Sequence, residues 1–325
     1  AVASGDVIRA SDWLPGTVDA VYKLDRSDRV REIAVKDAIA QVLEVHPSEV
    51  DTRRDALRTN PLTRVDLEVT DVEGGVKARA TAPGRFDITP VREWWSNWFD
   101  MPRWPVEDLY YGLIERFIGN VHVTDPDAFD AIRGRSVLYL ANHQVAVESL
   151  LFSVLVSGLT EVPTVTLAKV EHQHTWLGRL IEHSFRFPDV KDPEVITFFD
   201  RDDKASLPKI IGELSQAMMG PGKSVMVHIE GTRSLECRTP VQKMSSAFID
   251  MAIRTGSPIV PVRLTGALPS QRLAQRLEFP VGYGRQDIWF GKPLLPEDFT
   301  SVDLKSRKQL VIEGINSIGP SNATE

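Results

Sequence analysis

From Arg135 onward, short runs of β-branched and apolar residues alternate with stretches of helical periodicity, and this alternation restricts the fold more than any other feature. Such runs are typical of strands buried on both faces of a parallel sheet. The predicted strands are Ser136–Leu140, Thr164–Leu167, Val195–Phe199, Ser224–His228 and Ile259–Arg263. The helices predicted between them cover 145–157, 174–184, 204–219 and 242–255. The pattern predicts an α/β domain whose largely parallel sheet is flanked by helices.

The first 90 residues follow a different pattern. Apolar positions recur at helical spacing between Ser27 and Val45, with Ser27 as a suitable N-cap. Two alternating segments, Val65–Val69 and Val76–Ala80, then flank the pair Gly74-Gly75 and predict a β-hairpin. We therefore expect three regions: a small α+β module of unknown role at 1–90, tryptophan-rich connecting helices at 91–125, and a large domain at 126–325.

Tryptophan is concentrated in the middle region. Four of the seven tryptophans in the chain, Trp94, Trp95, Trp98 and Trp104, lie close together. One interpretation is a packing seam between the small module and the large domain, because an indole buries much apolar area. The other is the wall of an apolar groove or a helix that faces a membrane, where an amphipathic indole is also suited.

Composition excludes several classes of protein. The net charge of −7 argues against a nucleic-acid partner, which would require clustered Lys and Arg. A single cysteine, Cys237, cannot form an intramolecular disulfide, and no Cys/His spacing suggests a metal site, so we expect no metal and a cytoplasmic location. The apolar run Leu150–Leu159 is about half of the ~20 residues that a membrane span needs. Peripheral contact with a membrane stays open.

A histidine and a carboxylate stand together after the first predicted strand. The segment reads Ala141-Asn-His-Gln-Val-Ala-Val-Glu148, which places His143 at a strand-to-helix turn and Glu148 five positions later. At the start of a helix such neighbours return to one side, so the two side chains are expected to touch. A carboxylate bonded to one ring nitrogen leaves the other nitrogen to take a proton from a hydroxyl. His143 is therefore a candidate general base, with Glu148 as its orienting partner.

A second polar segment follows the strand Ser224–His228. It reads Glu230-Gly-Thr-Arg-Ser234, and combines a flexible glycine, backbone N–H donors, a hydroxyl and a guanidinium that can bind a phosphate with two N–H groups. An ordinary charged turn would have the same composition. The residues alone leave both interpretations open.

Taken together, these segments resemble the glycerolipid acyltransferase superfamily, which includes lysophosphatidic acid and glycerol-3-phosphate acyltransferases. The similarity covers roughly residues 105–295. Its blocks, in the family's order, are Asn142-His143 with Glu148, Asp200-Arg201, Glu230 through Ser234, and Val260-Pro261-Val262. The family has Asp where this chain has Glu148, and Phe-Pro where it has His228-Ile229. We expect the longer Glu148 to displace the carboxylate by about 1 Å and Ile229 to loosen the turn.

The resemblance implies a direct acyl transfer without a covalent acyl-enzyme. His143 would deprotonate the hydroxyl of the acceptor, which then attacks the thioester carbonyl of an acyl-carrier domain or of coenzyme A. Backbone N–H groups near the start of the helix after His143 would bind the oxyanion. No cofactor is implied other than the thioester donor.

The same resemblance assigns the binding residues. Arg201 and Arg233, with Lys169 as a third cation, would hold the phosphate of a glycerol-phosphate acceptor such as lysophosphatidate or glycerol 3-phosphate. Glu230, Gly231 and Thr232 would shape the turn and position the substrate.

Two other functions remain open. The His–Glu pair could activate water and hydrolyse an acyl thioester, although two arginines for a phosphate favour a phosphorylated acceptor. The domain could also be a non-catalytic docking module for an acyl-carrier domain. Because the chain begins Ala-Val-Ala-Ser-Gly and its first 90 residues lie outside the resemblance, we expect it to be a domain of a polyunsaturated fatty-acid or polyketide-type synthase.

Overall fold

A computed structural model describes residues 17–23, 36–37, 40, 46–49, 67–72, 75–81, 88–104, 107–185, 191, 193–200, 202–203, 205–220, 222–237, 239–269, 271–280 and 284–319. Backbone contacts divide the chain into two compact units, Ala1–Asp87 and Ile88–Glu325. The tryptophan-rich helices therefore belong to the second unit.

The first unit contains a three-stranded antiparallel sheet. Its strands are β1 (Thr17–Lys23), β2 (Leu67–Val72) and β3 (Gly75–Thr81), in the order β1-β3-β2. The hairpin predicted around Gly74-Gly75 is confirmed, because β2 and β3 pair across it. Strand β1 was not predicted, and most of the helix predicted at 27–45 lies outside the described residues.

The second unit is built on a seven-stranded sheet, with strand order β4-β10-β9-β5-β8-β6-β7. The strands are β4 (Ile118–Val123), β5 (Leu138–Ala141), β6 (Thr164–Lys169), β7 (Ile196–Phe199), β8 (Ser224–His228), β9 (Ile259–Thr265) and β10 (Gln286–Phe290). Every neighbouring pair is parallel except β9 and β10. The predicted α/β fold with a largely parallel sheet is therefore confirmed.

Helices cover the sheet. They are α1 (Thr89–Phe99), α2 (Glu107–Phe117), α3 (Pro126–Asp130), α4 (Glu148–Thr160), α5 (Trp176–Phe185), α6 (Ser206–Met219), α7 (Ala247–Thr255), α8 (Pro296–Thr300) and α9 (Leu304–Asn316), with 3₁₀ turns at Pro47–Glu49 and Val170–His174. The helix predicted to begin at residue 145 begins at Glu148 instead, and the Glu148 carboxylate accepts the N–H groups of Gln144 and Val145 in the turn before it. None of the helices in the described residues is long and apolar enough to cross a membrane.

Successive side chains of β5 are buried on opposite faces of the sheet. Leu138 and Leu140 point into a core that also receives apolar side chains from α6, α7 and α9. Tyr139 points the other way and contacts Phe152 of α4 and Phe290 of β10. Because successive side chains of a strand face opposite sides, a strand buried on both faces must be apolar throughout.

The tryptophan cluster packs inside the second unit. Trp95 is buried and its indole N–H donates to the carbonyl of Val154 in α4 at 2.8 Å. Trp104 is also buried and donates to the Tyr111 hydroxyl at 3.1 Å. The Trp95 contact packs α1 against α4 within this unit. The predicted seam with the small module stays a prediction.

Candidate active site

The polar segments named above converge at one edge of the sheet. Strands β5, β6, β7 and β8 are parallel and in consecutive contact, and their carboxyl ends lead into His143, Lys169, Asp200 and Glu230. Ala141 and His228 are register partners across β5 and β8, which brings the two following turns side by side. Ligands of open α/β sheets bind at this edge.

A cavity of about 780 Å³ opens there. His143, Lys169, Glu230, Gly231, Thr232 and Arg233 all line it. The rest of the wall is largely apolar and includes Leu167, Leu177, Ile181, Ile196, Phe198, Phe199, Leu207, Pro208, Val227, Ile229 and Phe248. Size and lining suit an organic ligand that has an apolar body and a polar end.

The predicted contact between His143 and Glu148 is present. His143 Nδ1 lies 2.6 Å from Glu148 Oε1. His143 Nε2 forms no hydrogen bond with any described residue, and the ring lines the cavity. The carboxylate thus fixes the tautomer and leaves Nε2 to exchange a proton with a ligand.

The Glu148 carboxylate is held by more hydrogen bonds than the predicted one to His143. Its side chain is only 1% exposed, and besides His143 it accepts the backbone N–H groups of Gln144 at 2.8 Å and Val145 at 3.1 Å. Gln286 Nε2, on the first residue of β10, donates to Glu148 Oε2 at 2.6 Å. Sequence reasoning missed Gln286, since a residue 138 positions away carries no local signal. The carboxylate is therefore positioned by four groups, and the longer side chain of Glu reaches all of them.

His228 is a second site residue to which the sequence analysis assigned no role. Its ring stacks on that of His143, with centroids 3.7 Å apart and planes inclined by 14°. Nδ1 lies 2.7 Å from the Asn142 carbonyl and Nε2 lies 3.0 Å from the Ser149 hydroxyl. A proton on Nδ1 satisfies both contacts, since the ring then donates to Asn142 and accepts from Ser149. The one sequence feature that pointed to a role for His228 was its position two residues before Glu230.

Burial sets the charge of these groups. It lowers the pKa of His143 well below its usual value, and the cations Arg233 and Lys169 act in the same direction. It also lowers the pKa of His228 to about 3. Burial raises the pKa of Glu148, while the hydrogen bonds from Gln286 and the backbone oppose that shift. Near neutral pH His143 is therefore an uncharged base.

The turn after β8 is tied to the His143 turn. Glu230 Oε2 accepts the His143 N–H at 3.2 Å, and the Ser234 N–H donates to the His143 carbonyl at 2.7 Å. Burial raises the pKa of Glu230 to about 7. Gly231 has a φ of +66°, which an L side chain rarely adopts. The turn thus holds the base from both sides of its peptide.

Ile229 does not loosen this turn, which corrects the expectation from its replacement of Pro. Its N–H donates to the Ala141 carbonyl at 2.9 Å. A proline at this position has no N–H and could not form that bond. The substitution therefore adds a link between β5 and β8.

The backbone donors expected for an oxyanion are engaged. The N–H groups of residues 143 to 147 donate, in order, to Glu230, Glu148, Glu148, Leu277 and Glu278. The expectation that this stretch would bind an oxyanion is wrong for these five groups. Thr232 remains as a donor on the cavity wall, since its backbone N–H and hydroxyl bond to none of the described residues.

The predicted cations are only partly described. Lys169 and Arg233 line the same cavity as His143. Arg233 Nη1 donates to the Leu277 carbonyl at 2.6 Å and to Glu278 Oε1 at 3.0 Å. Arg201 lies outside the described residues, although its neighbour Asp200 lines the cavity.

One group in the described residues has the composition of a metal site. The possible ligand atoms of His143, Glu148 and His228 lie within 4.8 Å of one another. However, His143 Nδ1 and both ring nitrogens of His228 already take part in hydrogen bonds. A metal would have to break these contacts, so the arrangement fits a hydrogen-bonded network better than a metal centre.

Comparison with known proteins agrees with this geometry. A sequence model of the Acyltransferase family matches residues 120–265, a range that includes His143, Glu148, Lys169, Glu230 and Arg233. Residues 120–265 form a domain of the glycerolipid acyltransferase superfamily. A search among curated proteins found no matching relative.

The match identifies the general chemistry of the acyltransferase domain as acyl transfer. The segment between β9 and β10 and the whole first unit lie outside the matched range. Gln286, which binds Glu148, also lies beyond it. One residue that positions the His143–Glu148 pair, Gln286, therefore lies outside the range matched by the family model.

Proposed function

We propose that the acyltransferase domain moves a fatty acyl group from a thioester of coenzyme A or an acyl-carrier domain to a hydroxyl of a phosphorylated glycerol acceptor, such as lysophosphatidate or glycerol 3-phosphate. The observation that carries the proposal is the position of His143. It is bonded to buried Glu148 on one side and lines a largely apolar cavity that also contains Arg233.

The proposed reaction begins with proton transfer. His143 Nε2 takes the proton of the acceptor hydroxyl as the oxygen attacks the thioester carbonyl, and Glu148 stabilises the imidazolium that forms. The tetrahedral intermediate then collapses. Its C–S bond breaks, and the departing thiolate takes the proton from His143, so that an ester and a free thiol are released and the base is restored.

The proposed mode of substrate binding follows from the cavity wall, which contains both apolar and cationic side chains. The apolar residues would surround the acyl chain, because burying methylene groups is favourable at roughly 0.8 kcal/mol each. Arg233 and Lys169, together with Arg201, would bind the phosphate. Glu230, Gly231 and Thr232 would hold the acceptor beside His143, and Thr232 is the donor we propose for the oxyanion.

The test uses the purified chain with a long-chain acyl thioester and lysophosphatidate, and the product is followed by mass spectrometry. His143→Ala should lower kcat/KM by about 10²- to 10⁴-fold, because it removes the general base. His174→Ala is the matched control, since this exposed histidine does not line the cavity.

Three results would contradict the proposal. Retained activity in His143→Ala would refute the mechanism. Free fatty acid as the sole product would indicate a thioester hydrolase. Binding of an acyl-carrier domain without turnover of any acceptor would indicate a docking module.

A further inference from the structure

Residues 276–278, in the segment that connects β9 to β10, lie against the turn after β5 and the turn after β8. Ala146 and Val147 donate their N–H groups to the carbonyls of Leu277 and Glu278, at 3.3 and 3.0 Å. Arg276 Nε donates to the Arg233 carbonyl at 2.8 Å. The segment therefore bridges the turn after β5 and the turn after β8, and it lies outside the family match.

This segment also brings a carboxylate to the proposed phosphate-binding arginine. Glu278 Oε1 is 3.0 Å from Arg233 Nη1, and the two side chains are 41% and 14% exposed. Both residues line the cavity that contains His143. A carboxylate bound to a guanidinium occupies the kind of position that a phosphate oxygen would take.

The remaining contacts of Arg233 leave it able to exchange partners. Its Nη1 is also held by the Leu277 carbonyl at 2.6 Å, so loss of the Glu278 contact would not release the side chain. Its Nε and Nη2 bond to none of the described residues. Glu278 is the more exposed partner and can turn toward solvent, so the ion pair is an exchangeable one.

We propose that Glu278 is a selectivity residue for the acceptor: its carboxylate occupies Arg233 in the free domain, and an acceptor phosphate must displace it. This inference rests on the proposed phosphate-binding role of Arg233. Glu278 then weakens binding of every phosphorylated acceptor by the strength of the ion pair, whereas an uncharged acceptor is unaffected. Acceptors that carry the full charge of a phosphate monoester compete best.

The experiment measures binding of glycerol 3-phosphate to the full chain by calorimetry, and compares Glu278→Gln with wild type. Glutamine can still accept a hydrogen bond from Arg233 but carries no charge. The dissociation constant should fall roughly two- to fivefold, the range expected for a partly exposed ion pair. KM for lysophosphatidate should fall in parallel, and KM for a monoacylglycerol should not change.

Two variants separate the possible outcomes. Glu171→Gln removes the same charge from the same cavity wall without touching Arg233, and should change the dissociation constant less than twofold. Arg233→Gln should weaken binding at least tenfold. If Arg233→Gln weakens binding but Glu278→Gln does not tighten it, Arg233 binds phosphate and the inference about Glu278 is wrong. If neither change alters binding, the phosphate-binding role of Arg233 is itself refuted.

Discussion

Two groups of residues at the site, named here the acid–base end and the cation end, differ in how deeply their bonded polar side chains are buried. At the acid–base end, formed by His143, Glu148 and His228, the Glu148 carboxylate is 1% exposed and accepts bonds from four groups. At the cation end, formed by Lys169, Arg233 and Glu278, the side chains of the Arg233–Glu278 ion pair are 14% and 41% exposed.

This difference indicates two kinds of preorganisation. Buried polar groups that are fully hydrogen-bonded are costly to disturb, so the acid–base geometry is fixed before any ligand arrives. An exposed ion pair contributes little and is readily exchanged. Substitutions should therefore change turnover at the first end and acceptor affinity at the second.

The largest effect is expected for Glu148→Gln. The neutral amide keeps the size of the side chain but no longer stabilises the imidazolium, so kcat should fall about 10²- to 10⁴-fold, at most the loss expected for removal of the base itself. Steady-state kinetics with lysophosphatidate measure the change. Glu148→Asp introduces the residue that is usual in the family. Its kcat should fall by a smaller factor, because the shorter side chain cannot reach all four partners.

Exposed Glu297 of α8 supplies the control, since Glu297→Gln should leave kcat unchanged. Circular dichroism should show that all three variants are folded. A Glu148→Gln enzyme with wild-type kcat would mean that the buried pair is structural only.

An intermediate effect is expected for His228→Phe, and it should appear in the free energy of unfolding. The folded pKa of about 3 lies below the ordinary value of 6.5, so the unfolded chain takes up a proton between these values that the folded chain does not. Stability from this group is therefore present above pH 6.5 and is lost as the pH falls toward 3. Between pH 7.5 and pH 5 the loss amounts to about 2 kcal/mol.

The measurement is urea unfolding of wild type and His228→Phe at both pH values. At pH 7.5 the variant should be less stable, because the Asn142 carbonyl and the Ser149 hydroxyl lose their partner. That deficit should shrink by about 2 kcal/mol at pH 5. A deficit independent of pH would show that His228 titrates normally. Because a phenyl ring can still stack on His143, activity should remain within about tenfold.

The smallest effect is expected for Arg233→Lys at the cation end. Lysine keeps the charge but not the planar set of N–H donors, so KM for lysophosphatidate should rise about three- to tenfold with kcat nearly unchanged. Arg133→Lys, at the surface away from the cavity, is the control. A fall in kcat with unchanged KM would place Arg233 in the transition state and remove the contrast between the two ends.

Local features of the chain were sufficient for much of this site. His143 and Glu148 are five residues apart, so the turn into α4 by itself places them close together. Glu230 and Arg233 follow a strand whose apolar residues identify it as buried. The general acyltransferase family could likewise be identified, because its blocks keep their order along the chain.

Other features could not be predicted, because they depend on which strands are neighbours. Strand β10 is short and antiparallel to β9, yet it delivers Gln286 to Glu148. The backbone donors after His143 were expected to bind an oxyanion, but the segment carrying Leu277 and Glu278 engages two of them. No local pattern encodes either contact.

The sequence by itself determined the α/β alternation, the strand-to-helix turn that carries His143 and Glu148, and the glycine turn that carries Arg233. Each depends on residues a few positions apart, where backbone geometry decides the outcome. The tertiary structure decided that His228 stacks on His143, that Gln286 binds Glu148 and that Glu278 pairs with Arg233. Those contacts join residues tens of positions apart, and only the order of strands in the sheet brings them within hydrogen-bonding distance.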